Sequence, residues 1–322
     1  MANIRIAGKD YNIIDAKEYM TIPDCFVLKN KIGDGHGEAK FYIGNENGET
    51  LGFFDDFDRK CFFLKEDIVR YLSDAKNEYL KPEQEYKDKD DLPALWTDLM
   101  SEAESLSREI VFNIYRSNVE PPRVYINSEA DIYKFLRKIA LPNISYLSVL
   151  KLSLNGEMLY YFKPFIDYYY LGEVSHPSLI KEEEEEIRDD SSIPAIEKEQ
   201  LTKARIGQGK YRDDLLCEIP YCMVTKVTEE RLLIASHIKP WVDADYSEKL
   251  DSKNGLTLTP TYDKLFDRGF ISFDDNGRIM ISPWLSPMNQ RKLGLTPAIA
   301  IDLVDAKRRG FMQYHREHIF KG

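Results

Sequence analysis

The sequence contains no apolar run as long as a membrane-spanning helix, and its first residues lack the apolar segment of a secretory signal peptide. We therefore expect a cytoplasmic protein without a membrane partner. Cysteine is scarce, with Cys25, Cys61, Cys217 and Cys222 at irregular spacings. Cys217 and Cys222 have no second pair to complete a zinc knuckle. Reduced cysteines are predicted, and no structural zinc is expected.

The chain also lacks a positive net charge. It has 44 Lys and Arg residues and 55 Asp and Glu residues, so its formal net charge is -11. That sum argues against a nucleic-acid partner, but the charge is unevenly distributed. Residues 205–322 carry 18 basic and 16 acidic side chains, so the acidity belongs to residues 1–204. Much of it lies in the aromatic-free stretch Lys181–Gln200, which predicts a solvated linker or the start of an exposed helix.

Length and composition allow two domains, because 322 residues exceed one typical domain and 43% of them are apolar. We predict an α+β protein with three parts. These are an N-terminal mixed α/β-sheet domain at 1–175, an acidic linker or exposed helix at 176–203 and a C-terminal domain at 204–322.

The N-terminal part has the pattern of a small antiparallel sheet with a helix. Strands are predicted at Cys25–Lys29, Lys40–Gly44 and Glu49–Phe54, where β-forming residues alternate with Gly, Asn and Asp turns. Apolar residues at helical intervals predict an amphipathic helix over Leu95–Tyr115. Asn155-Gly156, between two β-prone segments, predicts a tight hairpin.

Two N-terminal features have competing interpretations. Tyr160, Tyr161 and Tyr168–Tyr170 could stack on bases, but a packed tyrosine-rich strand is favoured. Asp24 and Glu38 could bind a metal and Lys40 could orient water, in a loose spacing that resembles the signature of one nuclease superfamily. A chance occurrence of this spacing is favoured, because the glycines between Asp24 and Glu38 indicate a flexible loop. His36 lies in the same loop and is predicted to be exposed.

The C-terminal part has a clearer order of strand, long loop, strand and helix. Strands are predicted at Leu232–Ser236 and Gly255–Thr259, followed by a helix over Pro260–Gly269. A further hairpin is predicted around Asp274–Gly277, and a basic helix over Lys307–His318.

His237 and Asn254 flank the long loop. His237 directly follows a predicted strand, which would hold its imidazole rigidly as a general base for phosphodiester hydrolysis. The alternative is a buried structural histidine, which the surrounding residues make the weaker interpretation. Asn254 would hydrogen-bond backbone groups and hold the loop that carries the base, against the alternative of an ordinary Asn-Gly turn.

Asp263 and Asp267 lie four residues apart on the predicted helix, so their carboxylates share one face and could bind one cation. The alternative is pairing with surface Lys and Arg. Asp267 lies near the helix C-terminus, where the helix dipole disfavours a negative charge, and a cation would compensate for it. Hard oxygen ligands favour magnesium or manganese.

These residues together resemble the HNH endonucleases, with their ββα-metal fold, and specifically the bacterial restriction-type branch. The resemblance covers about the last third of the chain, in these segments: Ala204–Leu216, Cys222–Thr225, Ala235–Trp241, Asn254–Gly269 and the following FISF.

The resemblance makes His237 the general base and places the family's asparagine at Asn254. It places the closing metal-ligand histidine at Asp263, so the motif here is H-N-D. Aspartate supplies a hard oxygen in place of an imidazole nitrogen. Ser236 stands where many members carry an acidic metal ligand, so the metal would also depend on Asp267, on a backbone carbonyl or on substrate phosphate.

The expected activity is metal-dependent hydrolysis of double-stranded DNA. His237 would deprotonate water, and magnesium held by Asp263 would stabilise the leaving 3′-oxygen. A homodimer is expected because double-strand cutting usually takes two active sites. The candidate DNA contacts are Gln208, Lys210, Arg212, Lys239 and Arg268, with surface charge or helix capping as the alternative.

Other residues are assigned structural roles. Trp241 is predicted to be core, and His315 and His318 to lie on a solvated basic face of the last helix. Two alternative functions remain open. One is a catalytically weakened HNH-fold DNA-binding module of a defence system, and the other is a nuclease that nicks DNA or cuts RNA.

Overall fold

A computed structural model describes residues 3–21, 41–45, 52–54, 59–84, 86, 89–116, 123–126, 131–141, 144–166, 185, 193–194, 198, 201 and 209–322. The chain forms two compact units, Met1–Ser178 and Leu179–Gly322, each with its own core. The predicted α+β class is confirmed. Within the described residues, no helix has the length and apolar character needed to cross a membrane. The limits of the linker, 176–203, remain a prediction.

The described part of the N-terminal unit contains two sheets and four helices. Its strands are β1 (Asn3–Ile6), β2 (Lys9–Thr21), β3 (Phe41–Asn45), β4 (Lys60–Leu64), β5 (Glu109–Phe112), β6 (Ile114–Arg116), β7 (Arg123–Ile126), β8 (Ser145–Leu154) and β9 (Glu157–Ile166). Its helices are α1 (Lys65–Asp74), α2 (Lys76–Leu80), α3 (Leu92–Ser105) and α4 (Asp131–Ile139). The large sheet has the order β1-β2-β8-β9-β4-β5, and the small one β3-β7-β6.

The hairpin predicted at Asn155-Gly156 is confirmed. Strands β8 and β9 pair along their whole length up to Leu154 and Glu157. The two turn residues have φ of 51° and 86°, the left-handed conformation that a two-residue turn of this type requires. Tyr160 and Tyr161 on β9 are buried, as the packing interpretation predicts. Tyr168–Tyr170 lie outside the described residues.

The helix predicted over Leu95–Tyr115 is wrong in its second half. Helix α3 ends at Ser105, and the chain then enters β5 and β6. The β-forming run Ile110-Val111-Phe112 pairs with β4 and places Phe112 in the core, where its ring contacts Phe63 and Phe162. Tertiary packing therefore overrides the helical spacing of the apolar residues.

The other N-terminal predictions have mixed outcomes. The strand predicted at Lys40–Gly44 corresponds to β3, shifted by one residue. Residues 52–54, the described part of the predicted Glu49–Phe54 strand, are not in a strand. The strand at Cys25–Lys29 lies outside the described residues, as do His36 and the hypothetical site of Asp24, Glu38 and Lys40.

The described part of the C-terminal unit consists of short strands and five helices. Its strands are β10 (Ile234–His237), β11 (Gly255–Leu258), β12 (Ile271–Phe273) and β13 (Ile279–Ile281). Its helices are α5 (Lys210–Glu218), α6 (Tyr246–Lys249), α7 (Pro260–Asp267), α8 (Pro287–Lys292) and α9 (Ala306–His318). Strands β12 and β13 form the hairpin predicted around Asp274–Gly277.

Strands β10 and β11 with helix α7 form a ββα unit, as predicted. The two strands are antiparallel, and His237 lies opposite Gly255. Pro260 lies in the first turn of α7, where its missing N–H costs nothing. Gly269 follows the helix at φ +66°, and a Cβ there would lie 2.1 Å from the Ile319 carbonyl oxygen. Leu256, Leu258 and Phe266 pack this unit into the C-terminal core.

Candidate active site

His237 is the last residue of β10, and three contacts hold its ring. Its Nε2 lies 3.0 Å from the backbone carbonyl oxygen of Lys249. The ring of Tyr211 stacks on it with a centroid distance of 4.1 Å and an interplanar angle of 7°, and Trp241 meets it edge-on at 5.6 Å. A carbonyl oxygen can only accept, so Nε2 carries the proton and Nδ1 keeps its lone pair.

The electrostatic environment of His237 keeps the ring neutral. Burial lowers the pKa of His237 to about 4, and the hydrogen bond to Lys249 opposes this shift only partly. At neutral pH the unprotonated imidazole is therefore the dominant form. Among the described residues, nothing hydrogen-bonds Nδ1, and the side chain is partly exposed, so the basic nitrogen can accept a hydrogen bond from water.

Asn254 is fully buried and ties the two ends of the loop between β10 and β11 together. Its Oδ1 accepts from the Lys239 backbone N–H at 2.8 Å. Its Nδ2 donates to the carbonyls of Lys239 and Glu248 at 3.2 Å each. These are the backbone contacts expected of a residue that holds the loop. One of the bonded carbonyls, that of Glu248, directly precedes Lys249 in the chain.

The loop is braced further by polar side chains. Lys239 Nζ donates to Glu248 Oε2 at 2.6 Å, and Glu248 also closes a capping box with Asp245 at the start of α6. The buried amine of Lys249 lies 5.2 Å from the ring centres of both Trp241 and Tyr246. Burial lowers the pKa of the Lys249 amine to about 8. The Lys249 carbonyl therefore belongs to a firmly held segment.

Asp263 and Asp267 lie one turn apart on α7, beside Ser236. The Ser236 hydroxyl lies 3.5 Å from Asp267 Oδ1 and also interacts with Asp263. Burial raises the pKa of the Asp267 carboxyl, and the nearby charge of Asp263 raises it further. Burial raises the pKa of Asp263 as well. Two desolvated carboxylates that repel each other are an environment that a cation would stabilise.

The donor set of this pair is small. In the part of the chain that the structure describes, no group of three or more His, Cys, Asp and Glu side chains is arranged to hold a metal ion. The candidate ligands are two carboxylates and the Ser236 hydroxyl. This set fits magnesium or manganese, because such ions retain several waters and bind substrate phosphate oxygens.

The structure describes four of the five predicted DNA contacts. Gln208 lies outside the described residues, and the exposed Lys210 forms an ion pair with Asp214 on α5. Arg212 donates to the carbonyls of Leu233 and Glu230 at 2.9 and 3.1 Å, which favours a structural role over a phosphate contact. Lys239 is held by Glu248.

Arg268 is the fifth of these residues and caps the C-terminus of α7. Its positive charge opposes part of the rise in the pKa of Asp267, so it lies near the carboxylate pair.

Sequence reasoning missed Tyr211, Glu248 and Lys249. Their roles depend on contacts between residues far apart in the chain, so no local pattern marked them. One residue of the sequence does reflect the position of Tyr211. Gly255 has no side chain, and a Cβ there would lie 2.7 Å from the Tyr211 hydroxyl oxygen. Trp241, predicted as core, is partly exposed but packs against the C-terminal core and contacts the His237 ring edge-on.

The solvated basic face predicted for His315 and His318 is wrong for His315. His315 is buried, with Nε2 3.1 Å from the Phe266 carbonyl oxygen and Nδ1 3.0 Å from the Ser272 hydroxyl. The apolar residues of α9 turn this face of the helix into the core. His318 is exposed.

The cysteines that the structure describes, Cys61, Cys217 and Cys222, are free thiols. Cys25 lies outside the described residues.

Comparison with known proteins assigns the ββα unit to a family. No curated protein matches the chain. Residues 222–274 match the family model described as HNH endonuclease, and this range contains His237, Asn254 and both carboxylates of α7. Nucleases of this family generally use divalent metal ions. The match places an HNH-type domain at residues 222–274, within the C-terminal unit.

Proposed function

We propose that this protein is a metal-dependent DNA endonuclease of the restriction type. One observation carries the proposal: a neutral, rigidly held imidazole with an open Nδ1 is joined by one peptide bond to Ser236, which contacts the carboxylate pair of α7. The site thus combines a proton acceptor with ligands for a cation, the two requirements of phosphodiester hydrolysis.

His237 acts as the general base. Its Nδ1 takes a proton from the attacking water, and the positive charge that forms on the ring is stabilised through the Nε2–H bond to the Lys249 carbonyl. Asn254 holds this carbonyl in place through its bonds to Glu248 and Lys239. The base is therefore oriented before substrate binds, which reduces the reorganisation needed in the transition state.

Asp263, Asp267 and Ser236 would hold a magnesium or manganese ion. A bound divalent cation supplies Lewis-acid stabilisation of the charge on the leaving 3′-oxygen. Asp263 is the principal ligand in this proposal, since the family resemblance places the closing metal ligand there. The repulsion between the two carboxylates supports a shared cation.

The remaining parts of the proposal concern partners. Double-stranded DNA is the substrate, and Arg268, which lies near the carboxylate pair, is the retained phosphate contact. The N-terminal domain, residues 1–175, would recognise the target, because a small nuclease domain has little surface for reading bases. We also propose a homodimer in the cytoplasm, with two active sites for the two strands.

The test is incubation of the protein with methylated and unmethylated plasmid in magnesium or manganese, followed by mapping of the ends. We expect linear products with 5′-phosphate and 3′-hydroxyl ends, and none after chelation of the metal. The His237→Gln variant is the control for a contaminating nuclease. Intact plasmid under all conditions, from protein that is folded, would contradict the proposal.

A second function is favoured by the small donor set. Ser236 replaces an acidic ligand, and a cation would have only two carboxylates among the described residues. A catalytically weakened DNA-binding module predicts retarded migration of DNA without cleavage at any metal concentration. Nicked circles, or cleavage confined to RNA, would instead support a nuclease that nicks DNA or cuts RNA.

A further inference from the structure

Tyr211 on α5 lies against the face of the His237 ring. The two rings are nearly parallel, and Tyr211 is fully buried. Its hydroxyl lies 3.3 Å from the Asn254 carbonyl oxygen and 3.5 Å from that of Ser236, so the ring spans β10 and β11 at the end of the ladder. These carbonyls belong to the residues that immediately precede Gly255 and His237.

Gly255 provides the space for this ring. It pairs with His237 across the ladder, and a Cβ at this position would lie 2.7 Å from the Tyr211 hydroxyl oxygen and 2.7 Å from Leu215 Cδ2. Contacts this short do not occur for real Cβ atoms, so any side chain at position 255 would displace helix α5 or the tyrosine. A glycine opposite the base thus makes room for the stacked ring.

The ring plane of His237 needs such a contact. The second side-chain torsion of histidine has a broad, two-fold preference, so the rotamer alone does not fix the plane. The one hydrogen bond, from Nε2 to the Lys249 carbonyl, fixes the direction of the N–H group but leaves the tilt of the ring plane about that direction free. A flat ring at 4.1 Å removes this freedom, and Trp241 restricts it at the edge.

We infer that Tyr211 is a positioning residue for the general base: its ring fixes the plane of the His237 imidazole and thereby aims Nδ1 at the attacking water. The inference deepens the proposed function and rests on it for the catalytic consequence. The structural part, one ring orientation and one tautomer, does not depend on activity. The stacking face, and not the hydroxyl, performs this role.

Two variants separate the ring from the hydroxyl. Tyr211→Phe keeps the stacked face, and we expect kcat within about threefold of the wild type. Tyr211→Met fills the space without a flat ring, and we expect kcat to fall on the order of 10- to 100-fold with KM for DNA within about twofold. Tyr221→Met is the matched control, because Tyr221 is exposed. An unchanged kcat in Tyr211→Met, or a Phe variant as slow as Met, overturns the inference.

Nitrogen-15 NMR of metal-free protein with labelled histidine tests the structural part without any cleavage assay. The His237 signals are identified by their loss in His237→Gln. We expect a single tautomer protonated at Nε2 in wild type and Tyr211→Phe, and averaged tautomers in Tyr211→Met. A single tautomer in Tyr211→Met refutes the inference, whether or not the protein cuts DNA. If Tyr211→Met does not fold, mixed tautomers in Tyr211→Phe refute it.

Discussion

Two histidines in the C-terminal unit have similar surroundings, although His315 is buried and His237 is partly exposed. His237 stacks on Tyr211, and His315 stacks on Phe266 at 3.8 Å and 8°. In both, Nε2 bonds a backbone carbonyl, and burial lowers the pKa to about 4. They differ at the other nitrogen: His315 Nδ1 bonds the Ser272 hydroxyl, whereas His237 Nδ1 has no hydrogen-bond partner among the described residues.

This difference separates a structural histidine from a candidate base. Stacking and a lowered pKa are common to both rings, so neither of them marks catalysis by itself. His237 is distinguished by its open Nδ1 at the end of a strand and by the preceding residue, Ser236, which contacts the carboxylate pair. Comparing the two rings therefore gives an internal control for each variant.

The largest expected effect comes from the same substitution at both histidines. His237→Gln should reduce the cleavage rate on the order of 10³-fold, because the base is lost, with little change in DNA affinity. His315→Gln should lower the melting temperature and leave the cleavage rate of the folded protein within about threefold. Rate and melting temperature are measured on both variants, and cleavage by His237→Gln at the wild-type rate would remove His237 as base.

The second-largest effect concerns the carboxylate pair of α7, which contacts Ser236 beside His237. Asp263→Ala should reduce the cleavage rate by about 10²-fold or more and raise the metal concentration needed for half-maximal rate. Asp213→Ala, on an exposed position of α5, is the matched control. Titration calorimetry follows metal binding directly, and unchanged binding by Asp263→Ala would move the ligand to another residue.

Acid should affect both rings alike. Each pKa is lowered from 6.5 to about 4 in the folded state, so the unfolded chain takes up protons first as the pH falls. The contribution of each ring to stability is complete above pH 6.5 and is lost between pH 6.5 and 4, at most about 3 kcal/mol for each. Urea unfolding at pH 7 and pH 5 measures the loss, which should be smaller in His315→Gln than in the wild type.

The smallest effect should follow when His315 is made to resemble His237. Ser272→Ala removes the partner of His315 Nδ1, which should lower the free energy of unfolding by about 1–3 kcal/mol. It should change the cleavage rate by less than twofold, because an open nitrogen without a neighbouring carboxylate pair has no catalytic function. Denaturant unfolding and plasmid cleavage measure the two quantities, and a large loss of cleavage in folded protein would connect the two sites.

Local patterns account for the parts of the molecule that were predicted correctly. Pro260 and Gly269 limit α7, and Asn155-Gly156 fixes a hairpin, because these residues act through their own backbone conformations. The end of α3 at Ser105 and the burial of His315 were not predictable in this way. Both depend on packing against distant segments, where Phe112 and the apolar face of α9 enter a core.

The hydrogen-bond acceptor of His237 is a main-chain oxygen. Replacing the Lys249 side chain cannot delete that oxygen, so a side-chain scan would record only a loss of stability at this position. The length of the loop is what matters for this hydrogen bond. An insertion or deletion between Lys239 and Asn254 would bring the carbonyl of a different residue to the His237 Nε2. Natural variation in the length of this segment should therefore be constrained more tightly than its composition.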